Sequence, residues 1–83
     1  MNNAESIEKT IRDTLVNQIA MKQVEFLELD EDLTLDSLSQ AELRVFIAGE
    51  YDVPTDIVAL PVAATETLEA LISHIQNATT TAA

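Results

Sequence analysis

The sequence has no cysteine and no tryptophan, one glycine and two prolines. Without cysteine there is no disulfide, no thiolate metal ligand and no cysteine nucleophile. A single histidine makes a zinc site improbable. Because all-β domains need many turns, which glycine and proline favour, the scarcity of both argues against such a fold. The composition favours a helical protein without a disulfide framework.

Basic residues are also scarce. Lys and Arg together number four and Asp and Glu together fifteen, which gives a formal net charge of −11. Binding to nucleic acids or to anionic membranes depends on Lys and Arg, so we expect neither. The charge favours partner proteins with basic surfaces and speeds encounter with them. The plainer interpretation is that acidity keeps a small protein soluble.

The chain has no apolar run long enough to cross a membrane, and its first residues, Met1 to Glu5, lack the basic and apolar regions of a signal peptide. We therefore expect a cytoplasmic protein. Its 83 residues, of which 47% are hydrophobic, predict a single domain over 1–83 with one core.

Apolar spacing predicts a first helix over 4–21 and a second over 37–51. The buried residues expected in the first helix recur every four positions, at Ile7, Ile11, Leu15 and Ile19. Those expected in the second are Leu43, Phe46, Ile47 and Tyr51. The connection over 22–35 alternates apolar and acidic residues, and we expect a long loop that covers the bundle, because a lone strand has no partner.

Two prolines delimit a short third helix over 55–60, which Pro54 starts and Pro61 stops. Its expected core contacts are Ile57, Val58 and Leu60. Thr65 is the predicted cap of a last helix that ends near Gln76. Its inward face is predicted to be Leu68, Leu71, Ile72 and Ile75. The prediction is an all-α, four-helix bundle, ordered over about 5–76, with a frayed tail over 77–83.

Alternating oxygen-bearing residues before the second helix invite comparison with a calcium loop. Asp30, Asp32, Thr34 and Asp36 have the right spacing. However, the loop needs a glycine where this chain has Leu35 and a bidentate glutamate where it has Ala41. We therefore expect no metal site there.

The junction between the long loop and the second helix carries the most informative residues, Asp36-Ser37-Leu38. Asp36 is suited to cap the helix, because its carboxylate can accept hydrogen bonds from the free amides of the first turn. Ser37 then occupies the first helical position, where a phosphate ester would meet unpaired N–H groups and the positive end of the helix dipole.

This tripeptide, together with Glu42-Leu43 and the element order over about 5–76, resembles the acyl carrier protein family. The resemblance implies that Ser37 carries a covalent 4′-phosphopantetheine arm, installed from coenzyme A by a phosphopantetheinyl transferase. It implies that Asp36, Leu38 and Glu42 contribute to partner recognition, and that partners are acyl-transferring, condensing or ligase enzymes with basic docking surfaces. It also implies a monomer that holds acyl intermediates as thioesters and is not itself an enzyme.

Two departures from the family pattern bear on the pathway. Many fatty-acid carriers have a glycine at the position of Thr34, and most have a more acidic second helix than one that contains Arg44 and Ala48. The first feature brings the chain closer to carriers outside fatty-acid synthesis, and the second implies a different set of partners from that of typical fatty-acid carriers. Fatty-acid, polyketide-type and specialised biosynthesis therefore stay open, as does an aminoacyl carrier of the D-alanyl or peptidyl type.

Two further interpretations involve no prosthetic group. A catalytic Ser37 would need a base, and only His74 is available, which we place on the surface of the last helix without a recognisable partner. Alternatively, the chain is a small acidic interaction module, in which Ser37 is simply an ordinary residue at the start of a helix.

Overall fold

The computed structural model describes residues 3–81, and side chains as far as residue 79. Three α-helices form most of this part of the chain: α1 (Ala4–Asn17), α2 (Ser37–Tyr51) and α3 (Leu68–Thr81). Two 3₁₀ turns, Lys22–Phe26 and Val62–Thr65, lie in the connections. Residues 3–81 contain no strand beyond an isolated bridge between Asp32 and Thr67. The all-α prediction is confirmed.

The predicted apolar faces of the helices form one core. The fully or almost fully buried side chains of the helices are Ile7, Ile11, Leu15, Leu43, Ile47, Leu68, Leu71, Ile72 and Ile75. Val24, Leu33, Val53 and Leu60 from the connections complete this core. Ile19, Phe46 and Tyr51 are only partly buried and pack at its edge. Burial of such aliphatic side chains is the main stabilising term in a domain of this size.

α1 ends at Asn17, earlier than the predicted Met21. Its N-terminus is capped by Asn3, whose Oδ1 accepts a hydrogen bond from the Ser6 amide at 2.8 Å. At the other end, the amides of Ile19 and Met21 donate to the carbonyls of Thr14 and Leu15. Ala20 has a left-handed φ of 64°, which a continuing right-handed helix does not allow. The chain therefore turns back onto α1.

The short third helix predicted over 55–60 is wrong, so the described chain has three α-helices, where four were predicted. This segment forms a turn with one helical hydrogen bond, from the Leu60 amide to the Asp56 carbonyl at 2.7 Å. Of the three predicted core contacts, Leu60 is buried, but Ile57 and Val58 are 67% and 84% exposed. The space between two prolines is too short to nucleate a helix unaided.

The last helix begins and ends later than predicted. Thr67, not Thr65, accepts a hydrogen bond at Oγ1 from the Ala70 amide. Thr65 is instead buried in the second 3₁₀ turn, where its hydroxyl donates to the Val62 carbonyl at 2.7 Å. α3 continues past Gln76 to Thr81. The frayed tail stays a prediction, and its residues 82 and 83 lie outside the described part of the chain.

Two arginines fasten the irregular segments to the helices. Arg12 Nη1 donates to the Val24 carbonyl in the first 3₁₀ turn at 2.7 Å. Arg44 Nη1 donates to the carbonyls of Thr55 and Leu60, both at 2.7 Å, and its Nε donates to Gln40 on α2. The guanidinium of Arg44 therefore bonds two backbone oxygens of the 55–60 segment. That of Arg12 adds a second hydrogen bond to the Val24 carbonyl, which also accepts one from the Leu27 amide.

Replacement of Arg44 by Met is expected to lower the free energy of unfolding by about 2 kcal/mol, because hydrogen bonds to charged donors each contribute about 1.5–3 kcal/mol when partly shielded. Urea unfolding measures the loss, and amide hydrogen exchange should accelerate over 55–60. Lys9→Met is the control, since Lys9 and its partner Asp13 are exposed and such pairs contribute little. An equal loss in both variants would contradict the role of Arg44.

Candidate functional site

The loop that leads into α2 is anchored just before the candidate site. Leu33 is buried, and its amide donates to the Glu66 carbonyl at 2.7 Å. The next residue, Thr34, has a left-handed φ of 51°, rare for a β-branched side chain. Its amide donates to Asp32 Oδ1 at 2.7 Å, which helps to hold the turn. Position 34 therefore has the backbone conformation that glycine adopts without strain.

Asp36 caps α2, as predicted. Its Oδ1 accepts a hydrogen bond from the Ser39 amide at 2.8 Å, and its carbonyl accepts one from the Gln40 amide. The hydrogen bond from the Ser39 backbone, followed by one from the Ser39 side chain, holds the pKa of Asp36 below the ordinary value of an aspartate. The carboxylate is thus charged at neutral pH beside the first turn of the helix.

Ser37 is the first residue of α2, and it is exposed. The Asp36 carboxylate accepts its capping hydrogen bond from the Ser39 amide and so stabilises the first turn of the helix. Ser37 is therefore accessible on the surface while the start of the helix is capped.

The residues predicted to contact partners lie around Ser37 on the surface. Asp36, Leu38 and Glu42 are all exposed, and Leu38 has 69% of its side chain accessible. Leu38 and Glu42 are four residues apart and so share one face of α2. Val45, which the sequence did not single out, is 74% exposed. The outward face of α2 therefore combines apolar side chains with one carboxylate.

A groove of about 400 Å³ runs between α1 and α2 beside this face. We call it the α1–α2 groove, and its lining residues are Thr14, Gln18, Ile19, Ala41, Glu42, Val45 and Phe46. Ile19, Ala41, Val45 and Phe46 supply its apolar walls. No sequence motif marks it, because it is formed by the way in which two helices pack.

The other chemistry-bearing residues do not gather into a second site. His74 is partly buried and lines a small pocket with Pro54 and Ala59. Burial raises the pKa of the Tyr51 phenol, and the Glu50 charge adds to this shift against an opposing hydrogen bond with Thr10. Within residues 3–81, no three His, Asp or Glu side chains are placed to hold a metal ion.

Comparison with known proteins gives no match: no family model, no curated protein and no solved structure matches this chain. Over the part that the structure describes, no helix has both the length and the apolar character needed to cross a membrane.

The pH dependence of unfolding should report on Asp36. Because its pKa is lowered by folding, its carboxylate stabilises the native state above the pKa of the unfolded chain, and this contribution disappears as the pH falls through the native pKa. Asp36→Asn keeps a capping oxygen but does not titrate. We expect the difference in Tm between this variant and the native protein to shrink between pH 5 and pH 2, as measured by circular dichroism. A constant difference would contradict the pKa assignment.

Proposed function

We propose that this protein is a carrier that holds biosynthetic intermediates as thioesters on a 4′-phosphopantetheine arm attached to Ser37. The observation that carries the proposal is the exposed Ser37 hydroxyl at the first position of a helix capped by its neighbour Asp36. An exposed serine on an ordered helix start is accessible to a modifying enzyme, and the chain needs no catalytic base of its own.

The residues around Ser37 fit the group that would be attached. A phosphodiester there would lie beside the first amides of α2 and near the positive end of the helix dipole. The arm supplies a thiol that forms thioesters. This chain would hold the phosphate end through the first turn of α2.

The proposed partners are a phosphopantetheinyl transferase and acyl-transferring, condensing or ligase enzymes with basic docking surfaces. Two of the four basic residues, Arg12 and Arg44, bond to backbone carbonyls of the chain itself. A third, Lys9, pairs with Asp13. Little positive charge is left to offset the acidic surface, and Leu38 with Glu42 offers a mixed apolar and acidic contact near Ser37.

The proposal also includes a helical arrangement of the acyl-carrier type, a monomeric state and a cytoplasmic location. The chain itself is proposed to have no catalytic activity. The carried group is an acyl or related intermediate of fatty-acid, polyketide-type or specialised biosynthesis, with an aminoacyl group as the alternative.

A second candidate function is an acidic interaction module without a prosthetic group. The observation that favours it is the exposure of Phe26 and Val58, which are 85% and 84% accessible and lie in the connections between helices. Large apolar side chains in contact with water can contribute to a protein-binding surface when they lie together. Such a module would not need Ser37.

Intact-mass measurement separates the two functions. After incubation with coenzyme A and a broad-specificity phosphopantetheinyl transferase, we expect the native protein to gain the mass of one arm and Ser37→Ala to gain none. Ser39→Ala is the matched control, two residues further along α2, and should be modified like the native protein. If the native protein gains no mass, the interaction module is the function that remains. A gain of mass in Ser37→Ala would refute the attachment site.

The rate of this modification should fall as salt is added, because encounter between an acidic carrier and a basic enzyme is screened over about 8–10 Å at physiological ionic strength. Initial rates at subsaturating carrier, measured from low salt to about 0.5 M, test this. Glu42→Gln should reduce the salt dependence, whereas Glu5→Gln, on the first turn of α1, should not. A rate that is independent of salt would contradict the electrostatic contribution.

A further inference from the structure

We propose that Asp32 is a positioning residue for the modification of Ser37: its carboxylate fixes the left-handed turn at Thr34 and so presents the serine to the transferase in one orientation. The inference rests on the proposed attachment at Ser37 and deepens it. It gives a function to an exposed carboxylate that neither the core nor the cap of α2 requires.

The backbone around Asp32 is held in place by the segment that leads into α3. Asp32 forms an isolated antiparallel bridge with Thr67. The amide of the next residue, Leu33, donates to the Glu66 carbonyl at 2.7 Å, and the Leu33 side chain is buried in the core. The Asp32 side chain therefore starts from a fixed point of the backbone, although it lies on the surface.

The residue that needs the support of Asp32 is Thr34. Its φ of 51° lies in the left-handed region, where the Cβ atom of an L residue is crowded. Asp32 Oδ1 accepts a hydrogen bond from the Thr34 amide at 2.7 Å. The Thr34 hydroxyl donates to the Leu33 carbonyl, also at 2.7 Å. An aspartate that accepts from the amide two residues later stabilises a turn that the backbone alone disfavours.

The conformation at Thr34 determines where Ser37 lies. Two residues separate them, and one of these, Leu35, packs against the core. A change of φ at residue 34 would redirect the chain after the buried Leu33, so that Leu35 could not keep its contact while α2 begins at the same place. The effect of Asp32 on the serine is therefore transmitted through the backbone.

Pre-organisation of this kind predicts a particular kinetic effect. When only part of the population has the competent loop, the apparent affinity of the transferase for the protein falls in proportion, whereas the bound complex reacts as before. Loss of the Asp32 acceptor should therefore raise the KM for this protein and leave kcat almost unchanged. A carboxylate that took part in the reaction of the hydroxyl would lower kcat instead.

Steady-state modification by a broad-specificity phosphopantetheinyl transferase, followed by intact mass, tests the proposal. For Asp32→Ala we expect KM to rise about tenfold, the order of the left-handed penalty for a residue with a Cβ atom. Asp32→Asn keeps an acceptor oxygen and should behave like the native protein. Asp30→Ala is the matched control, because it removes an exposed carboxylate two residues away that does not bond the Thr34 amide. The same rise in Asp32→Asn or in Asp30→Ala would overturn the proposal.

Glycine at position 34 provides a rescue experiment. Glycine adopts a left-handed φ without support, so Thr34→Gly should return the KM of the Asp32→Ala protein to within about threefold of the native value. Circular dichroism first establishes that each variant is fully folded at the assay temperature. A change in KM then reports on the loop, since the folded fraction is the same in all variants.

A further measurement needs no variant. Backbone carbon chemical shifts of the native protein should indicate the left-handed conformation at Thr34. An extended Thr34, an unchanged KM in Asp32→Ala, a fall in kcat in place of the rise in KM, or a rise that Thr34→Gly does not reverse would each overturn the positioning role and leave the attachment intact. A native protein that gains no mass would refute the attachment, and the positioning role with it.

Discussion

The guanidinium of Arg44 is the interaction on which the arrangement around α2 depends. It lies beside the buried face of the helix and bonds the carbonyls of Thr55 and Leu60, which have no helical partner. Its Nη2 atom is buried without a hydrogen-bond partner among the described residues. Burial of this unpaired N–H group costs free energy. Without Arg44, however, the carbonyls of Thr55 and Leu60 would be left unpaired close to the core, which would cost more. Arg12 holds the first 3₁₀ turn to α1 in the same way.

The core and the contacts of Arg44 divide the surface of α2 into separate regions. One side packs in the core through Leu43 and Ile47, and the side that carries Arg44 holds the 55–60 segment. The remaining side, with Ser37 at its start, is left open. Ser37 is exposed there, and the hydrogen bond from the Ser39 amide to Asp36 caps the start of the helix. The proposed carrier function uses this open side for attachment and for partners.

Most of the core could be predicted from the sequence, because residues spaced by four, such as Ile7, Ile11 and Leu15, lie on one face of a helix and this face must be buried. The cap at Asp36 was predictable for a similarly local reason, since the carboxylate bonds an amide three residues away. The 55–60 segment was not, because its conformation depends on a hydrogen bond from Arg44, which is distant in sequence. A lone arginine in a helix with few charges is a weak signal for such a contact. The α1–α2 groove could not be predicted, because its lining comes from two segments whose relative position no local sequence pattern indicates.

A covalent phosphodiester on Ser37 is the central claim of this account, and phosphorus NMR of the intact protein tests it most directly. The protein coproduced with a phosphopantetheinyl transferase should give one phosphodiester resonance, which is absent from Ser37→Ala prepared in the same way. A native protein without any phosphorus resonance, or a resonance that persists in Ser37→Ala, would contradict it.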